Sequence, residues 1–248
     1  MGADEHGRNF DGVIGLWGAR SVGKTSLLSA AFLGSTELQD RIDAARSPDL
    51  DRLFGDYYKW LTQSHTQPTA RTEADFAFTT TSGRSFRVRD VSGGATISDS
   101  GPEIAARLAD VDVLLLLLDS SGLNLPDQFA SIQRAELSFK GERSRTALVC
   151  TKCEEKWLMK GADGWRAERG WWREAVQTIA GVGQYAKRLA EFEDRVWPVS
   201  AFGFDEFGRP SVILDEFGNR VPFNVSKESS IGVARPFLWA LDQLESKS

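Results

Sequence analysis

The stretch that decides the fold reads Gly18-Ala19-Arg20-Ser21-Val22-Gly23-Lys24-Thr25 and matches the pattern G-x-x-x-x-G-K-[ST] at every fixed position. Before it, residues 13–17 are mostly apolar, which predicts a buried parallel strand. After it, residues 25–33 carry apolar side chains at helical spacing, and Gly34 follows as a stop signal. A strand, a glycine-rich loop and a helix in this order predict a loop that binds the phosphates of a nucleoside triphosphate.

Each part of this loop has a chemical role. The glycines let backbone N–H groups curl around phosphates, and the positive end of the following helix adds to the attraction. Lys24 is placed to reach the β and γ phosphates, and the Thr25 hydroxyl is placed to bind Mg²⁺. The predicted nucleotide-binding residues of this segment are Gly18, Ala19, Arg20, Ser21, Val22, Gly23, Lys24, Thr25 and Ser26.

The whole-chain composition is that of an ordinary globular protein, with 248 residues, of which 41% are hydrophobic and 26% charged. We expect one domain over residues 12–248, behind a polar, flexible tail at residues 1–11. The net charge of −5 argues against a nucleic-acid partner.

The longest apolar run, residues 111–118, is too short to span a membrane. Neither a signal-peptide core nor a lipid-anchor motif is recognised, so we expect a cytoplasmic protein.

The two cysteines, Cys150 and Cys153, have the spacing of a redox pair, but they lie at the end of an apolar strand. Packing and loop geometry explain them better, and we interpret them as structural.

Strand and helix patterns alternate along the rest of the chain. Residues 75–80 and 85–89 alternate in hydrophobicity around a Ser82-Gly83 turn, which predicts a hairpin. Further strands are predicted at residues 111–118, 146–150 and 195–199, and further helices at 102–108, 126–139, 184–193 and the C-terminal end. The predicted fold is an α/β P-loop NTPase three-layer sandwich, with a mostly parallel sheet, one antiparallel strand from the hairpin and helices on both faces. Insertions are expected near residues 35–66, 154–183 and 204–226. In the first of these, apolar residues at roughly helical spacing predict two helical pieces, with a break at Ser47-Pro48.

Three more motifs follow the glycine-rich loop, each at the end of a predicted strand. They are Asp90-Val91-Ser92-Gly93, Thr151-Lys152-Cys153-Glu154 and Ser200-Ala201-Phe202. Each is weak alone, but their joint order and their positions at strand ends argue against coincidence.

With these ordered motifs the chain resembles the Ras-like, translation-factor-related P-loop GTPases of bacterial type, over about residues 12–244. The resemblance implies that Thr151, Lys152 and Glu154 hold a guanine base. The Lys stem covers the ring, and the carboxylate accepts hydrogen bonds from guanine N1 and N2. It also implies that the turn at residues 200–202 offers a backbone N–H to guanine O6.

The resemblance assigns the remaining site residues around the phosphates. Asp90 lies near Mg²⁺, and the Gly93 N–H senses the γ-phosphate. The first switch falls at residues 68–73, where Thr72 is the preferred ligand of Mg²⁺ and Thr69 the alternative. The Arg71-Thr72 pair is similar to the switch of the bacterial gliding-motility Ras-like GTPases.

These assignments give two sets of residues. The catalytic candidates are Lys24, Arg71, Thr72 and Gly93, and the metal-binding candidates are Thr25, Thr72 and Asp90.

Two positions depart from the family pattern. Gly94 stands where Ras-like enzymes usually have a glutamine that orients the attacking water, so we expect slow hydrolysis. Arg71 either supplies charge in cis or is a solvated loop residue.

The second departure concerns recognition of the base. Glu154 replaces the usual aspartate, which changes the direction of the carboxylate but still favours guanine, since adenine has an acceptor at N1 and lacks the 2-amino group.

The function predicted from the sequence is a GTP-binding molecular switch that uses GTP, GDP and Mg²⁺ and responds to a protein effector or activating partner. The aromatic residues of the insertions either form part of such a docking surface or belong to the core. Two alternatives stay open, a non-hydrolysing nucleotide-binding interaction module and a P-loop ATPase or kinase.

Overall fold

The computed structural model describes most of the predicted strands and helices of the 248-residue chain. The described residues are 10–19, 22–53, 55, 73–91, 100–120, 125–153, 190–192, 195–203, 211–214, 220–222 and 230–246. The elements in chain order are β1 (Gly12–Trp17), α1 (Lys24–Gly34), α2 (Thr36–Gln39), β2 (Glu73–Thr79), β3 (Ser85–Val91), α3 (Gly101–Arg107), β4 (Val113–Asp119), α4 (Leu125–Ser138), β5 (Thr146–Thr151), β6 (Val196–Pro198), β7 (Val212–Leu214), β8 (Arg220–Pro222) and α5 (Arg235–Glu245). Among the described helices, none combines the length and the apolar composition needed to cross a bilayer.

Six of the strands form one sheet in the order β2-β3-β1-β4-β5-β6. The four pairings from β3 to β6 are parallel, and the edge strand β2 pairs antiparallel with β3. The predicted mostly parallel sheet with one antiparallel strand is therefore confirmed. A separate antiparallel pair, β7 and β8, lies within the segment predicted as the third insertion.

Alternate residues of the central strands face two apolar cores on opposite sides of the sheet. Ile14 and Leu16 of β1 belong to the core formed with α1 and α5. Val13 and Trp17 belong to the core formed with α3 and α4. Helices therefore cover both faces, as the three-layer architecture requires.

Strand register brings the carboxyl ends of the central strands to one edge of the sheet. β1 lies between β3 and β4, and Leu16 is paired with Asp90 while Trp17 is paired with Leu116. After β1 the chain forms β2 and β3 on one side of this strand and then crosses to form β4 on its other side. Such a switch point in the strand order opens a crevice at the carboxyl ends of the strands. The glycine-rich loop begins directly after β1, so it borders this crevice.

The predicted hairpin is confirmed, with a small difference at its end. Gly83 has φ +87° in the connecting turn, where a left-handed conformation favours glycine. The second strand continues to Val91, so Asp90 is still paired with Ala74 inside the ladder. This pairing fixes the Asp90 backbone before the chain leaves the sheet.

The segment after α1 contains the two predicted helical pieces, α2 and a second stretch at residues 49–53, with the break at Ser47, but the chain between them is not α-helical. After the short α2, Ile42 forms a β-bridge with Thr80 instead of continuing a helix. The Ser47 hydroxyl accepts a hydrogen bond from the Thr79 N–H at 3.0 Å, and the Asp49 carboxylate accepts one from the Ala77 N–H at 2.7 Å. Backbone groups on the edge of β2 are therefore satisfied locally, and these contacts outweigh helix propensity.

Candidate functional site

The two described glycines of the loop are required for different reasons. A Cβ at Gly18 would lie 2.9 Å from the Val22 side chain and 3.0 Å from the Leu117 carbonyl oxygen, so no side chain fits there. A Cβ at Gly23 would meet only the Thr151 Cβ, at an ordinary contact distance of 4.0 Å, but Gly23 adopts φ +94°, a conformation that L residues rarely adopt. The first glycine allows close packing against β4, and the second allows the turn into α1.

Lys24, the first residue of α1, turns its side chain back over the loop. It is only 8% exposed, and its ammonium donates hydrogen bonds to the carbonyl oxygens of Gly18 at 3.0 Å and Ala19 at 3.3 Å. Burial lowers the pKa of Lys24, while the charge of nearby Asp90 opposes this shift. The cation is thus held at the loop with much of its hydration removed.

Asp90 meets the start of α1 because β3 and β1 are paired at Leu16. The Thr25 hydroxyl donates a hydrogen bond to Asp90 Oδ2 at 3.1 Å, and Lys24 Nζ lies 4.0 Å from Asp90 Oδ1. Burial raises the pKa of the Asp90 carboxyl, and Lys24 and Thr25 partly offset that effect. A hydroxyl and a carboxylate in contact form a hard-oxygen donor set, which fits Mg²⁺.

Thr151 joins the glycine-rich loop to the sheet. Its buried hydroxyl lies 2.6 Å from the Val22 carbonyl oxygen and 3.2 Å from the Leu118 carbonyl oxygen, within donating distance of both. The threonine of this motif therefore fixes the position of the loop relative to the ends of β4 and β5.

Lys152 follows β5 in a left-handed conformation with φ +56°, which is uncommon for a residue with a side chain. Its ammonium donates a hydrogen bond to the Asp119 carboxylate at the end of β4. The backbone turn and the ion pair together set the direction of the lysine side chain.

The segment at Ser200 forms a closed turn. Ser200 exchanges two backbone hydrogen bonds with Ile231, at 3.0 and 2.8 Å, and its hydroxyl accepts one from the Gly203 N–H at 2.7 Å. These bonds fix the backbone on both sides of Ala201 and Phe202.

A single depression joins these segments at the carboxyl edge of the sheet. Its lining comes from the start of α1, the end of β5 and the turn after β6. The lining residues are Gly23, Ser26, Leu27, Thr151, Lys152, Val199, Ala201 and Phe202. Three motifs far apart in the sequence therefore border one open space.

Several predicted site residues lie outside the described part of the chain, and their assignments stay predictions. These residues are Arg20, Ser21, Thr69, Arg71, Thr72, Gly93, Gly94 and Glu154.

Two residues of this region were not found from the sequence. Asp119 is the partner of Lys152, and Gln128 of α4 accepts a hydrogen bond from the Asp119 backbone N–H at 2.7 Å. The signal for Asp119 was available, since it is the one charged residue that ends a run of leucines at the carboxyl end of a strand. No pattern in the sequence points to Gln128.

The cysteines show no sign of an activated thiol. Both are buried and neither forms a disulfide, and the Cys153 thiol donates to the Cys150 carbonyl oxygen at 2.9 Å. Burial raises the pKa of Cys150 to about 12, which keeps the thiol protonated and supports the structural interpretation.

Comparisons with known proteins find structural similarity without a family-level match. No protein-family model matches the chain, and no curated protein matches it. Among solved structures, the chain is similar to the crystal structure of a bacterial selenocysteine-specific elongation factor, with 13% sequence identity and a TM-score of 0.44. The match covers 95% of this chain and 29% of that chain, so this chain spans less than a third of the factor's length.

The geometry of Gly23 gives a test that needs no ligand. We predict that Gly23→Ala lowers the free energy of unfolding by about 1–2 kcal/mol, because alanine is strained at a left-handed position. Urea denaturation of the ligand-free protein measures this.

The matched control is Gly55→Ala, at a helical glycine with open space around it. There alanine should be neutral or stabilising by up to about 1 kcal/mol. Equal stabilities of the Gly23→Ala protein and the wild type would contradict the account of the loop.

Proposed function

We propose that the chain is a cytoplasmic GTP-binding switch with slow, Mg²⁺-dependent GTP hydrolysis. The observation that carries the proposal is the depression in which Gly23 and Ser26 of the loop region face Lys152, Ala201 and Phe202. A nucleotide has a phosphate end and a base end, and this depression borders residues suited to each.

The phosphate end is served by Lys24. Its ammonium is held at the loop by two carbonyl oxygens, and burial disfavours its charge. An anionic phosphate at the loop would offset that cost, because opposite charges attract strongly where water is excluded. The N-terminus of α1 adds a positive partial charge at the same place.

Thr25 and Asp90 are the proposed holders of Mg²⁺, with Thr72 added from the sequence. In support, the Thr25 hydroxyl and the Asp90 carboxylate already lie in contact. Bound Mg²⁺ would supply neutralisation of phosphate charge and would also favour the ionised form of the buried Asp90.

The base end is proposed to lie between Lys152 and Phe202. The aliphatic stem of the lysine and the aromatic ring both suit the flat face of a base. The fixed turn at Ser200 supports a backbone N–H directed to guanine O6, and Glu154 is the proposed acceptor for guanine N1 and N2.

Hydrolysis is proposed to be slow because Gly94 has no side chain to orient water. Arg71 is the candidate for charge stabilisation in cis.

The switch would consist of the chain around Thr72 and the segment that follows Asp90. Both would become ordered with GTP and relax after hydrolysis, so that a protein partner distinguishes the two states. The absence of a glutamine at Gly94 also favours the second candidate, a nucleotide-binding module without hydrolysis.

Titration of fluorescent GDP, GTP, ADP and ATP analogues, with and without Mg²⁺, tests the proposal. We expect guanine nucleotides to bind at least about tenfold more tightly than adenine nucleotides, since the hydrogen-bonding groups of the site match guanine. Lys24→Ala should weaken binding about 10- to 100-fold through loss of a charged hydrogen-bond donor.

Lys140→Ala, at an exposed lysine, serves as the control and should bind like the wild type. Tighter binding of ATP than of GTP would favour a P-loop ATPase or kinase. Failure to bind any of the four nucleotides would contradict nucleotide binding altogether.

Single-turnover phosphate release from GTP tests the role of Arg71. We predict that Arg71→Ala slows release by about tenfold or more, because an arginine in this role stabilises charge in the transition state. The exposed Arg46→Ala protein is the control and should keep the wild-type rate. An unchanged rate in the Arg71→Ala protein would leave that residue without a catalytic role. No release from the wild type would favour the non-hydrolysing module.

A further inference from the structure

We propose that Asp119 is a positioning residue for the nucleotide base, because it holds the Lys152 side chain in place before ligand binds. This inference rests on the proposed function, since it concerns the base end of the same site. Asp119 acts through Lys152 and is not among the residues that line the depression.

The ion pair between the two residues is short and mostly shielded from solvent. Lys152 Nζ lies 2.5 Å from Asp119 Oδ2, and the side chains are 20% and 10% exposed. Screening by salt is weak for such a pair compared with one on the open surface. The pair therefore restrains a long side chain that would otherwise sample many rotamers.

Asp119 is itself fixed in position by two neighbouring elements. It is the last residue of β4 and is paired with Thr151 of β5, the residue before Lys152. Its backbone N–H donates to the buried side-chain oxygen of Gln128 on α4 at 2.7 Å. The carboxylate is thus presented from a rigid strand end toward a lysine one residue beyond the adjacent strand.

The same strand ends are linked to the glycine-rich loop. The Ser120 N–H donates to the Thr151 carbonyl oxygen at 3.0 Å, and the Thr151 hydroxyl contacts the Val22 carbonyl oxygen at 2.6 Å. Lys152 is therefore held in one frame with the loop. A base and a phosphate group of one ligand would meet side chains whose spacing is already set.

Such preorganisation affects binding through entropy. Immobilising a long side chain on binding costs affinity, and an ion pair that immobilises it beforehand removes that cost. The Lys152 stem would lie along the wall of the depression while its ammonium stays with Asp119. Loss of the carboxylate would release the stem and weaken nucleotide binding, without removing any group that contacts the ligand.

A double-mutant cycle tests this arrangement. GDP affinity with Mg²⁺ is measured for the wild type, Asp119→Asn, Lys152→Met and the double variant. We expect Asp119→Asn to weaken GDP binding about three- to tenfold in the wild-type background, which corresponds to freeing one long side chain. In the Lys152→Met background the same substitution should change affinity by less than about twofold.

Equal losses in both backgrounds would overturn the proposal, because Asp119 would then act independently of Lys152. An unchanged GDP affinity in Asp119→Asn would overturn it as well. A wild type that binds no guanine nucleotide would instead contradict the proposed function, and the inference with it.

A second measurement avoids any substitution at Asp119, in case that variant does not fold. The side-chain ammonium of Lys152 is observed by NMR in ¹⁵N-lysine-labelled wild type and assigned by its loss in Lys152→Met. We expect a protected ammonium signal before GDP is added. A signal that appears only after GDP addition would show that the ligand orders the lysine and would overturn the proposal.

Discussion

Parallel pairing of β1 with β3 on one side and β4 on the other is the constraint on which the rest of the structure depends. It aligns Leu16 with Asp90 and places the ends of β4 and β5 beside the glycine-rich loop. A shift of one residue would move every side chain of β1 to the opposite face. The apolar cores on both faces therefore hold the register that brings Asp90 to Thr25.

Burial at this edge sets the electrostatics of the candidate site. The pKa of Lys24 is lowered and that of Asp90 is raised, in both cases chiefly because water is removed. Each charged form is therefore less stable than it would be in water. A ligand that carries phosphate and a cation would favour both charged forms, which is the physical basis of the proposed affinity for a nucleotide with Mg²⁺.

Sequence patterns predicted the elements whose apolar spacing is strong, including the β2–β3 hairpin and the five-leucine strand β4. After α1 they predicted two helical pieces, which the structure has at α2 and at residues 49–53, but not the contacts of Ile42 and Ser47 with the edge of β2, because local propensity does not encode contacts between distant residues. In the site, a fixed motif revealed Lys24, whereas the pairing of Asp119 with Lys152 depends on strand register and on a left-handed backbone.

A crystal structure of the protein with GDP and Mg²⁺ would show directly where the nucleotide binds. We expect the diphosphate at the loop beside Lys24 and the guanine base in the depression between Lys152 and Phe202. A base bound elsewhere on the molecule, with Lys152 and Phe202 making no contact to it, would contradict this placement of the nucleotide.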